Sequence, residues 1–297
     1  NFCSKIWNAF RLIKGWTVDD NIQAPDAAKL AVHWFESKQN EVAAEVADLF
    51  SKYRLSEALM AVYKLFWDEF SSWYLEMIKP AYGQGIDRTT YDATLCFLDN
   101  LLHLLHPFMP FITEELWQQM CERNAEEGES LMVSALSMDT YVDTAFVAQF
   151  EVVKGVISNI RSIRLQKNIA QKEPLDLQVL GENPVAEFNA VIQKMCNLSS
   201  ITVVESKAEG ASSFMVGTTE YAVPLGNMID VEAEIARMEA ELKHKEGFLQ
   251  GVLKKLSNEK FVNNAPAAVL EMERKKQADA ESIISSLKES IAALKKA

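Results

Sequence analysis

A tryptophan and two cations share one side of the first predicted helix. Between residues 2 and 16, projection at about 100° per residue places Trp7, Arg11 and Lys14 together, opposite an apolar face. An aromatic ring beside cations at this spacing could stack on an unpaired base and hold its phosphate. The alternative is that Trp7 packs inside the fold while the two cations are only solvated.

A second basic stripe lies near the end of the predicted helix 142–168. Lys154, Arg161 and Arg164 occupy the side opposite its apolar face, and they form the densest basic patch before residue 227. Contact with phosphate is one interpretation of this stripe. The other is that cations near a helix C-terminus complement the helix macrodipole. Both interpretations stay open on the residues alone.

Two histidines, His103 and His106, have the i, i+3 spacing of metal ligands that share a site. No Glu or Cys follows at ligand spacing, so we predict that they bind backbone carbonyls at a helix end rather than a metal. The chain has no glycine-rich phosphate loop, no Gly-x-Ser-x-Gly and no His-Glu-x-x-His motif. We therefore expect neither a catalytic site nor a bound cofactor in these residues.

Helical periodicity dominates the sequence up to about residue 168. Six amphipathic segments, separated at proline, glycine and one acidic stretch, predict a helical bundle. After Pro174, short β-like runs around one helix predict a small α/β module. The bundle helices are expected at 2–16, 26–52, 55–79, 88–106, 111–124 and 142–168, the strands at 175–180, 201–205 and 214–224, and the module's helix at 184–195.

Apolar residues recur every seventh position near the C-terminus. The two series are Ile235, Leu242, Leu249 and Leu256, and then Leu270, Gln277, Ile284 and Ile291. Such heptads indicate two helices that pack along a seam. Pro266 follows an Asn-Asn-Ala break and can open the second helix where its missing N–H costs least. The pattern predicts an antiparallel coiled-coil hairpin, roughly 40 Å long at about 1.5 Å per residue.

The net charge of −12 argues against general binding of nucleic acid, because phosphates are repelled by acidic surfaces. The excess acid is unevenly placed, however. Residues 227–297 hold 12 Lys and Arg against 12 Asp and Glu, whereas residues 1–226 hold 18 against 30. A nucleic acid would therefore bind only where basic residues concentrate, which favours a partner of defined shape.

The cysteines and the hydropathy indicate a cellular setting. Cys3, Cys96, Cys121 and Cys196 are scattered without a Cys-x-x-Cys pair, so we expect reduced thiols and a cytoplasmic location. No run approaches the ~20 apolar residues of a membrane span, and we expect no membrane partner. The chain starts at Asn1 without a methionine or a visible signal peptide, so we expect it to be the C-terminal piece of a longer protein.

Several of these stretches together resemble the valyl-tRNA synthetases of bacteria. The motif His106–Trp117, with the sequence HPFMPFITEELW, is similar to one shared by the anticodon-binding domains of class I synthetases for valine, isoleucine and leucine. The valine family is favoured by FCSKIWNA at 2–9, NIRS at 159–162 and KLSNEKF at 255–261 with Ala265-Pro266. The resemblance covers essentially the whole chain.

This resemblance implies a mainly α fold in three parts. A helical-bundle anticodon-binding domain is expected over 1–172, a small α/β linking module over 173–226 and an antiparallel coiled-coil tRNA-binding arm over 227–297. In the family, the bundle grips the anticodon loop and the arm lies against the outer corner of the tRNA. The parent enzyme joins valine to its tRNA using ATP and edits mischarged threonine, both in N-terminal domains. The resemblance thus implies that this portion binds valine tRNA, without ATP or catalysis of its own, beside those domains of the same polypeptide.

The resemblance also suggests contact residues. Arg11 and Lys14, beside Trp7, match the basic side of the family's first helix, and Trp34 falls where the family places an aromatic that stacks on an anticodon base. The second stripe supplies candidate phosphate contacts at the end of the bundle. The candidate arm contacts are cations outside the seam and toward the tip: Lys243, Lys254, Lys255, Lys260, Arg274, Lys275 and Lys276.

Two other functions stay open. The hairpin could recruit a protein partner as an interaction module without tRNA specificity. It could also join two copies of the chain, but an extended intermolecular zipper is disfavoured by polar residues at seam positions, and we expect a monomer. These seam residues are Lys245, Glu259, Glu273 and Gln277.

Overall fold

The protein, in a computed structural model, forms two compact units. The first consists of residues 1–165 and 170–224, and the second of residues 166–169 and 225–297. The structure describes residues 1–121, 130–226, 231–258, 261–262 and 265–294. Its mainly helical class, with a small mixed sheet and a C-terminal pair of helices, confirms the predicted fold class. The division into three parts at residues 172 and 226 stays a prediction.

The first unit contains the predicted bundle. Its helices are α1 (Phe2–Lys14), α2 (Asp26–Ser51), α3 (Leu55–Lys64), α4 (Leu75–Ile78), α5 (Arg88–Leu105), α6 (Pro110–Met120) and α7 (Thr144–Gln166). The predicted helix 55–79 differs from expectation, because Leu65–Tyr74 is wound as a π-helix between α3 and α4. Two short strands that the sequence did not predict, β1 (Val18–Asp19) and β2 (Ile86–Asp87), pair in parallel.

Aromatic rings fill the centre of the bundle. The ring of Phe35 on α2 lies 5.2 Å from Phe70, 4.9 Å from Tyr74 and 5.1 Å from Phe97, measured between centroids. The Tyr74 hydroxyl forms a 2.8 Å hydrogen bond with Thr94, and burial raises the pKa of this tyrosine. Because each large ring buries much apolar area and its polar atom is satisfied, this cluster joins α2, the π-helix and α5.

Local signals explain where several helices begin and end. Gly15 follows the last residue of α1, and Pro110 opens α6 in the first turn, where a missing N–H costs nothing. The buried carboxylate of Asp87 accepts a 2.8 Å hydrogen bond from the backbone N–H of Thr90 and so caps α5. These boundaries lie within a few residues of the predicted ones.

The α/β module packs within the first unit. It contains β3 (Leu175–Leu180), α8 (Asn189–Cys196), β4 (Leu198–Val204), β5 (Ser212–Val216) and β6 (Thr219–Val223). The strand order is β4-β3-β6-β5, with β3 and β4 parallel and the other pairs antiparallel. The single strand predicted at 214–224 is wrong, because the chain turns at Gly217, whose φ of 59° suits glycine. Phe188 joins the module to α7 through ring contacts with Phe146 and Phe150.

The second unit contains the predicted antiparallel hairpin, formed by α9 (Val231–Leu256) and α10 (Ala267–Leu294). An ion pair between Glu246 and Lys288 at 2.9 Å joins the middle of α9 to the last part of α10. A longer contact of 3.9 Å joins Lys255 to Glu273, near the other end. The seam buries Val252, Ala280, Ile284 and Ile291. Residues 263–264 of the predicted break lie outside the described residues.

Glu273 is the unusual member of this seam, because it is a buried acidic residue. Lys276 donates a 2.8 Å hydrogen bond to it and thereby lowers the pKa of Glu273. The charge of Glu273, a seam residue expected to disfavour an intermolecular zipper, is thus paired with a lysine of the same hairpin. Within the described part of the chain, no helix is both long enough and apolar enough to cross a membrane.

The thiols offer a test of the module's packing. Cys196 is only 1% exposed and burial raises its pKa to about 12, whereas Cys3, Cys96 and Cys121 are exposed. Since the thiolate is the reactive form, a thiol reagent at about pH 8 should modify the three exposed cysteines in the folded protein and spare Cys196. Mass spectrometry before and after unfolding in urea would count the modified residues. Rapid modification of Cys196 in the folded protein would contradict this packing.

Candidate nucleic-acid interface

The outer side of α1 is exposed in the way the helical projection predicted. Its inner side buries Ile6, Ala9 and Ile13, while Arg11 and Lys14 are exposed. Trp7 is half-buried, so its ring combines contact with the bundle and access from solvent. Within the described residues the Arg11 guanidinium has no hydrogen-bond or ion-pair partner. Contact between this side and a nucleic acid stays a prediction.

Lys14 is partly engaged by the fold. Its Nζ donates a 3.0 Å hydrogen bond to the carbonyl oxygen of Met120, the last residue of α6. Carbonyls at a helix C-terminus lack partners within the helix, so this contact satisfies one of them and ties α1 to α6. Arg11 is therefore the more available cation on this side of α1.

A shallow recess of about 350 Å³ borders the ring of Trp7. It is lined by uncharged residues, namely Cys3, Ser4, Trp7, Asn8 and Ile112. A groove of about 390 Å³ along α2 and α3 differs, because Glu45, Glu57 and Glu69 line it together with two lysines. Carboxylates repel phosphate, so of these two depressions the one at α1 is the better suited to nucleic acid.

Trp34 does not occupy the position that the resemblance suggested. Its side chain is 0% exposed, and its ring centroid lies 4.1 Å from that of Phe150 on α7. The neighbouring Phe35 ring lies 5.9 Å away on the same helix. Because α7 covers this side of α2, Trp34 offers no face to an anticodon base in this structure, and we place it in the core.

Lys154 is also used within the bundle. Its Nζ lies 2.6 Å from a carboxylate oxygen of Glu69 and 2.9 Å from one of Glu151. The same ammonium lies 5.4 Å from the Trp34 ring centroid and 5.8 Å from that of Trp73. With 13% of its side chain exposed, it joins α7 to the π-helix through a paired charge and cation–π contacts, and little of the charge reaches solvent.

Arg164 is 2% exposed, and among the described residues its hydrogen bonds all go to backbone carbonyls. The acceptors are Ala170 at 2.9 Å, Glu173 at 2.8 Å, Cys196 at 2.7 Å and Asn197 at 3.3 Å. Burial lowers the pKa of Arg164, and the nearby carboxylate of Glu173 offsets only part of this effect. The phosphate contact predicted for Arg164 does not fit this position, because the guanidinium holds the end of α7 to the module.

Arg161 is the exposed cation of the second stripe. Its guanidinium carbon lies 5.5 Å from the Trp73 ring centroid, which orients the side chain without neutralising it. The three cations of this stripe therefore differ in how far each is exposed and in which groups each contacts. Arg161 remains a candidate phosphate contact, whereas Lys154 and Arg164 are committed to the fold.

The arm cations fall into two groups. Lys255 and Lys276 both reach the buried Glu273, at 3.9 and 2.8 Å. Lys243, Lys254, Arg274 and Lys275 are exposed along the two helices. Lys260 lies outside the described residues. Among the described residues no carboxylate forms an ion pair with this second group, so it is the better set of candidate phosphate contacts.

The two histidines bind protein groups. His103 forms hydrogen bonds with the Asp99 carbonyl at 2.9 Å and with the Ser134 hydroxyl at 2.8 Å. His106 forms one of 2.8 Å with the hydroxyl of Thr113, not with a carbonyl as predicted. In the described ranges, no group of three or more His, Cys, Asp or Glu residues could hold a metal ion.

Sequence reasoning missed a second recess, at the C-terminal end of α1. It has a volume of about 470 Å³ and is formed by the segments Gly15–Thr17 and Lys79–Gly85. Trp16 and Tyr82 line it. The sequence feature that marks this recess is the run KPAYGQG at 79–85. Its proline and glycines indicate a break between helices, but not that the break forms a recess.

The bundle and the antiparallel hairpin correspond to two known families of tRNA ligase domains. Residues 32–179 match the family described as the anticodon-binding domain of tRNA ligase. Residues 230–295 match the family described as the valyl tRNA synthetase tRNA binding arm. The chain belongs to the valyl-tRNA synthetase family, as its anticodon-binding and tRNA-binding arm portion.

Individual relatives agree with this assignment. The chain is 99% identical over 297 residues to a valine–tRNA ligase of Bacteroides thetaiotaomicron and 72% identical over 296 residues to one of Phocaeicola vulgatus. A more distant valine–tRNA ligase, of Enterococcus faecalis, is 35% identical over 312 residues. These matches cover 99 to 100% of this chain but only 34 to 35% of the relatives. The chain thus spans about a third of the length of the curated relatives it matches.

The buried position of Trp34 leads to a direct prediction. Replacing Trp34 with Ala should destabilise the bundle by roughly 3 to 5 kcal/mol, because a large cavity would remain between α2 and α7. Trp7→Ala, at the half-buried ring, should cost clearly less. Urea unfolding of both variants would measure the difference. A Trp34→Ala protein of unchanged stability that has lost RNA binding would instead support base stacking by Trp34.

The buried position of Arg164 leads to a second prediction. Arg164→Ala should lower the free energy of unfolding by about 2 to 4 kcal/mol, because carbonyls of the loop and of α8 would lose a charged donor. Arg161→Ala is the matched control on the same helix and should cost less than about 1 kcal/mol, the value of an exposed cation–π contact. Thermal or urea unfolding would compare the two. Equal losses would contradict the structural role of Arg164.

Proposed function

We propose that this chain is the tRNA-recognition portion of an enzyme that attaches valine to its tRNA. The bundle binds the anticodon region, and the arm binds the outer corner of the tRNA. The observation that carries the proposal is the exposed side of α1, where the half-buried Trp7 borders a recess lined by uncharged residues. Arg11, one turn further along the helix, is exposed and has no ion-pair partner among the described residues. An aromatic surface beside a cation is what binding of single-stranded RNA requires.

Electrostatics support a partner of defined shape. Most of the bundle is acidic and several of its cations are paired with carboxylates, as in Lys154 with Glu69 and Arg88 with Asp20. An RNA that touched the bundle at random would be repelled. One that presents unpaired bases at α1 and keeps its other phosphates away from the acidic surface would be accepted. A loop at the end of a stem has this form.

The arm contributes a different kind of binding. Its cations and acids are equal in number over 227–297, so attraction depends on local exposure. The group Lys243, Lys254, Arg274 and Lys275 supplies exposed positive charge, with no described carboxylate held against it. Lysine and arginine contacts to phosphate carry no direct sequence information. The arm therefore adds affinity for the tRNA body, while α1 contributes the choice of anticodon.

The catalytic activity belongs to other parts of the enzyme in this proposal. The relatives are valine–tRNA ligases about three times as long as this chain. Their remaining length would hold the ATP-dependent attachment of valine and the editing of mischarged threonine. This chain then contributes affinity and substrate choice, with valine tRNA and the remainder of the same polypeptide as its partners. We place the enzyme in the cytoplasm, as a monomer.

A protein-binding arm is the second candidate function. Phe248, Leu253 and Met272 are exposed on the hairpin, with 41 to 53% of each residue accessible, and apolar side chains of this kind can contact another protein. This candidate predicts association that does not depend on tRNA and that changes little with salt. The tRNA proposal instead predicts that binding requires tRNA and weakens strongly as the salt concentration rises.

Binding of three tRNAs across a salt series tests the proposal. Fluorescence anisotropy would compare valine tRNA, the same tRNA with an altered anticodon and an unrelated tRNA. Valine tRNA should bind most tightly, and Arg11→Ala should weaken that binding by roughly 1 to 3 kcal/mol if Arg11 meets a base. Lys275→Ala should weaken all three tRNAs similarly and reduce the slope of log K against log salt by about one unit.

Arg54→Ala is the matched control for Arg11, because Arg54 is an exposed arginine of the same unit that is paired with Glu57. It should leave the binding of all three tRNAs unchanged. Equal binding of the three tRNAs by the unsubstituted protein would place its affinity in the arm alone. No binding at all would refute the proposal for this chain and favour a protein partner.

A further inference from the structure

The recess at the C-terminal end of α1 is a built cavity. The segments Gly15–Thr17 and Lys79–Gly85 form its walls and enclose about 470 Å³. Two strands directly beyond it hold the walls together, with Val18 opposite Ile86 and Asp19 opposite Asp87. The backbone N–H of Ile86 also donates a 2.9 Å hydrogen bond to the Thr17 carbonyl. The walls therefore meet through backbone contacts rather than through loose loop packing.

Two further contacts fix the same corner. A Cβ atom added at Gly85 would lie 3.0 Å from the Thr17 carbonyl oxygen and 3.1 Å from the Asp19 Cβ, so any larger residue would have to push these neighbours apart. Arg88 forms an ion pair with Asp20 at 2.8 Å and joins the segments that follow the two strands. A cavity that exists before its ligand arrives saves the cost of ordering its walls on binding.

The lining is suited to a nucleotide. Trp16 is half-buried and Tyr82 is fully exposed, so both rings can be reached from solvent. Lys79 is the cation of the lining, which contains no carboxylate. Its Nζ lies 3.6 Å from a carboxylate oxygen of Glu76 outside the lining, in an exposed contact that leaves about half of the lysine side chain accessible. This composition differs from the groove of α2 and α3, where three glutamates meet the cavity, and from the groove beside Phe111, where Glu114 and Glu115 do. Phosphate would therefore meet less repulsion here than in either groove.

We propose that this recess binds one unpaired nucleobase of an RNA loop. The base stacks on the aromatic rings of Trp16 and Tyr82, and Lys79 receives its phosphate. Stacking tolerates any base, so the recess holds the loop in place while hydrogen bonds elsewhere read its sequence. The proposal rests on the function proposed above and extends it, because it adds a second base position to the one beside Trp7.

The position of the recess along α1 supports this arrangement. Trp7 lies near the middle of the helix, Arg11 follows one turn later, and the recess begins at Gly15, directly after the last residue. A rise of about 1.5 Å per residue separates Trp7 from Gly15 by roughly 12 Å. Two bases of one loop can span that distance if the strand is unstacked between them, with Arg11 beside the connecting phosphate.

Fluorescent tRNA tests the proposal on the full chain. Valine tRNA would carry 2-aminopurine at each unpaired anticodon-loop position in turn, because the emission of this base falls when it stacks on an aromatic ring. One position should be quenched on binding. Tyr82→Ala should restore its emission and weaken binding about tenfold, as expected for loss of one stacking contact. Tyr82→Phe, which keeps the ring, should retain both the quenching and the affinity.

The controls separate the recess from the general function. Tyr53→Ala replaces another exposed tyrosine of the same unit, away from the recess, and should change neither readout. Tyr82 is fully exposed, so its replacement does not threaten folding, and Trp16→Leu supplies a second variant of the same wall. Loss of quenching with Tyr82→Ala and Trp16→Leu at the same loop position would support the proposal.

Two outcomes would overturn it. If valine tRNA binds but neither variant alters affinity or quenching, the recess is not a base site, while the tRNA-binding function stands. If the unsubstituted protein binds no tRNA, the proposed function fails and the recess fails with it.

Discussion

Ring packing around Phe35 is the contact on which the bundle depends. This side chain touches Trp34 on its own helix, two rings of the π-helix and Phe97 on α5. The cluster continues through Trp34 to Phe150 and from there to Phe188 of the α/β module. One chain of rings thus fixes α2, α5, α7 and the module together. Because these ring contacts fix the rotation of each helix, they also determine which of its residues face solvent.

The ring cluster also decides which cations can act at the surface. Lys154 lies against the rings of Trp34, Trp73 and Phe150 and is neutralised by Glu69. Arg164, farther along the same helix, has its guanidinium surrounded by backbone carbonyls. Charge that is paired or buried stabilises the fold but attracts no distant phosphate. The positive charge left for a ligand is therefore smaller, and more localised, than the count of Lys and Arg suggests.

The sequence predicted features that depend on nearby residues. Helix ends at Gly15, Pro110 and Asp87 follow from local backbone chemistry, and the arm follows from heptads that need no information from the rest of the chain. The exposed side of α1 was predictable for the same reason. A helical projection identifies a face correctly, but it does not say which distant segment covers that face. Trp34 is covered by Phe150, 116 positions later, so its burial could not be derived from the local pattern.

The same limit explains the missed recess and the missed π-helix. The recess exists because two residues at 18–19 pair with two at 86–87, and strands that short leave no periodic signal. The π-helix changes the register of Leu65–Tyr74 relative to the usual 3.6-residue repeat, so projecting residues 55–79 as one regular helix does not show which rings these side chains meet.

Surface charge links these features to binding. In an acidic bundle, RNA can approach only where carboxylates are absent and cations remain unpaired. Within the described residues Arg11 meets these conditions on α1, beside a recess lined without charge. The recess at the end of the helix adds Lys79, whose Nζ lies 3.6 Å from a carboxylate oxygen of Glu76. On the arm, the exposed candidate cations that do not contact Glu273 are the ones whose charge remains unpaired among the described residues. Under the proposed function, an RNA that engages both surfaces would bind more tightly than one that engages either alone, because the second contact forms at a high effective concentration.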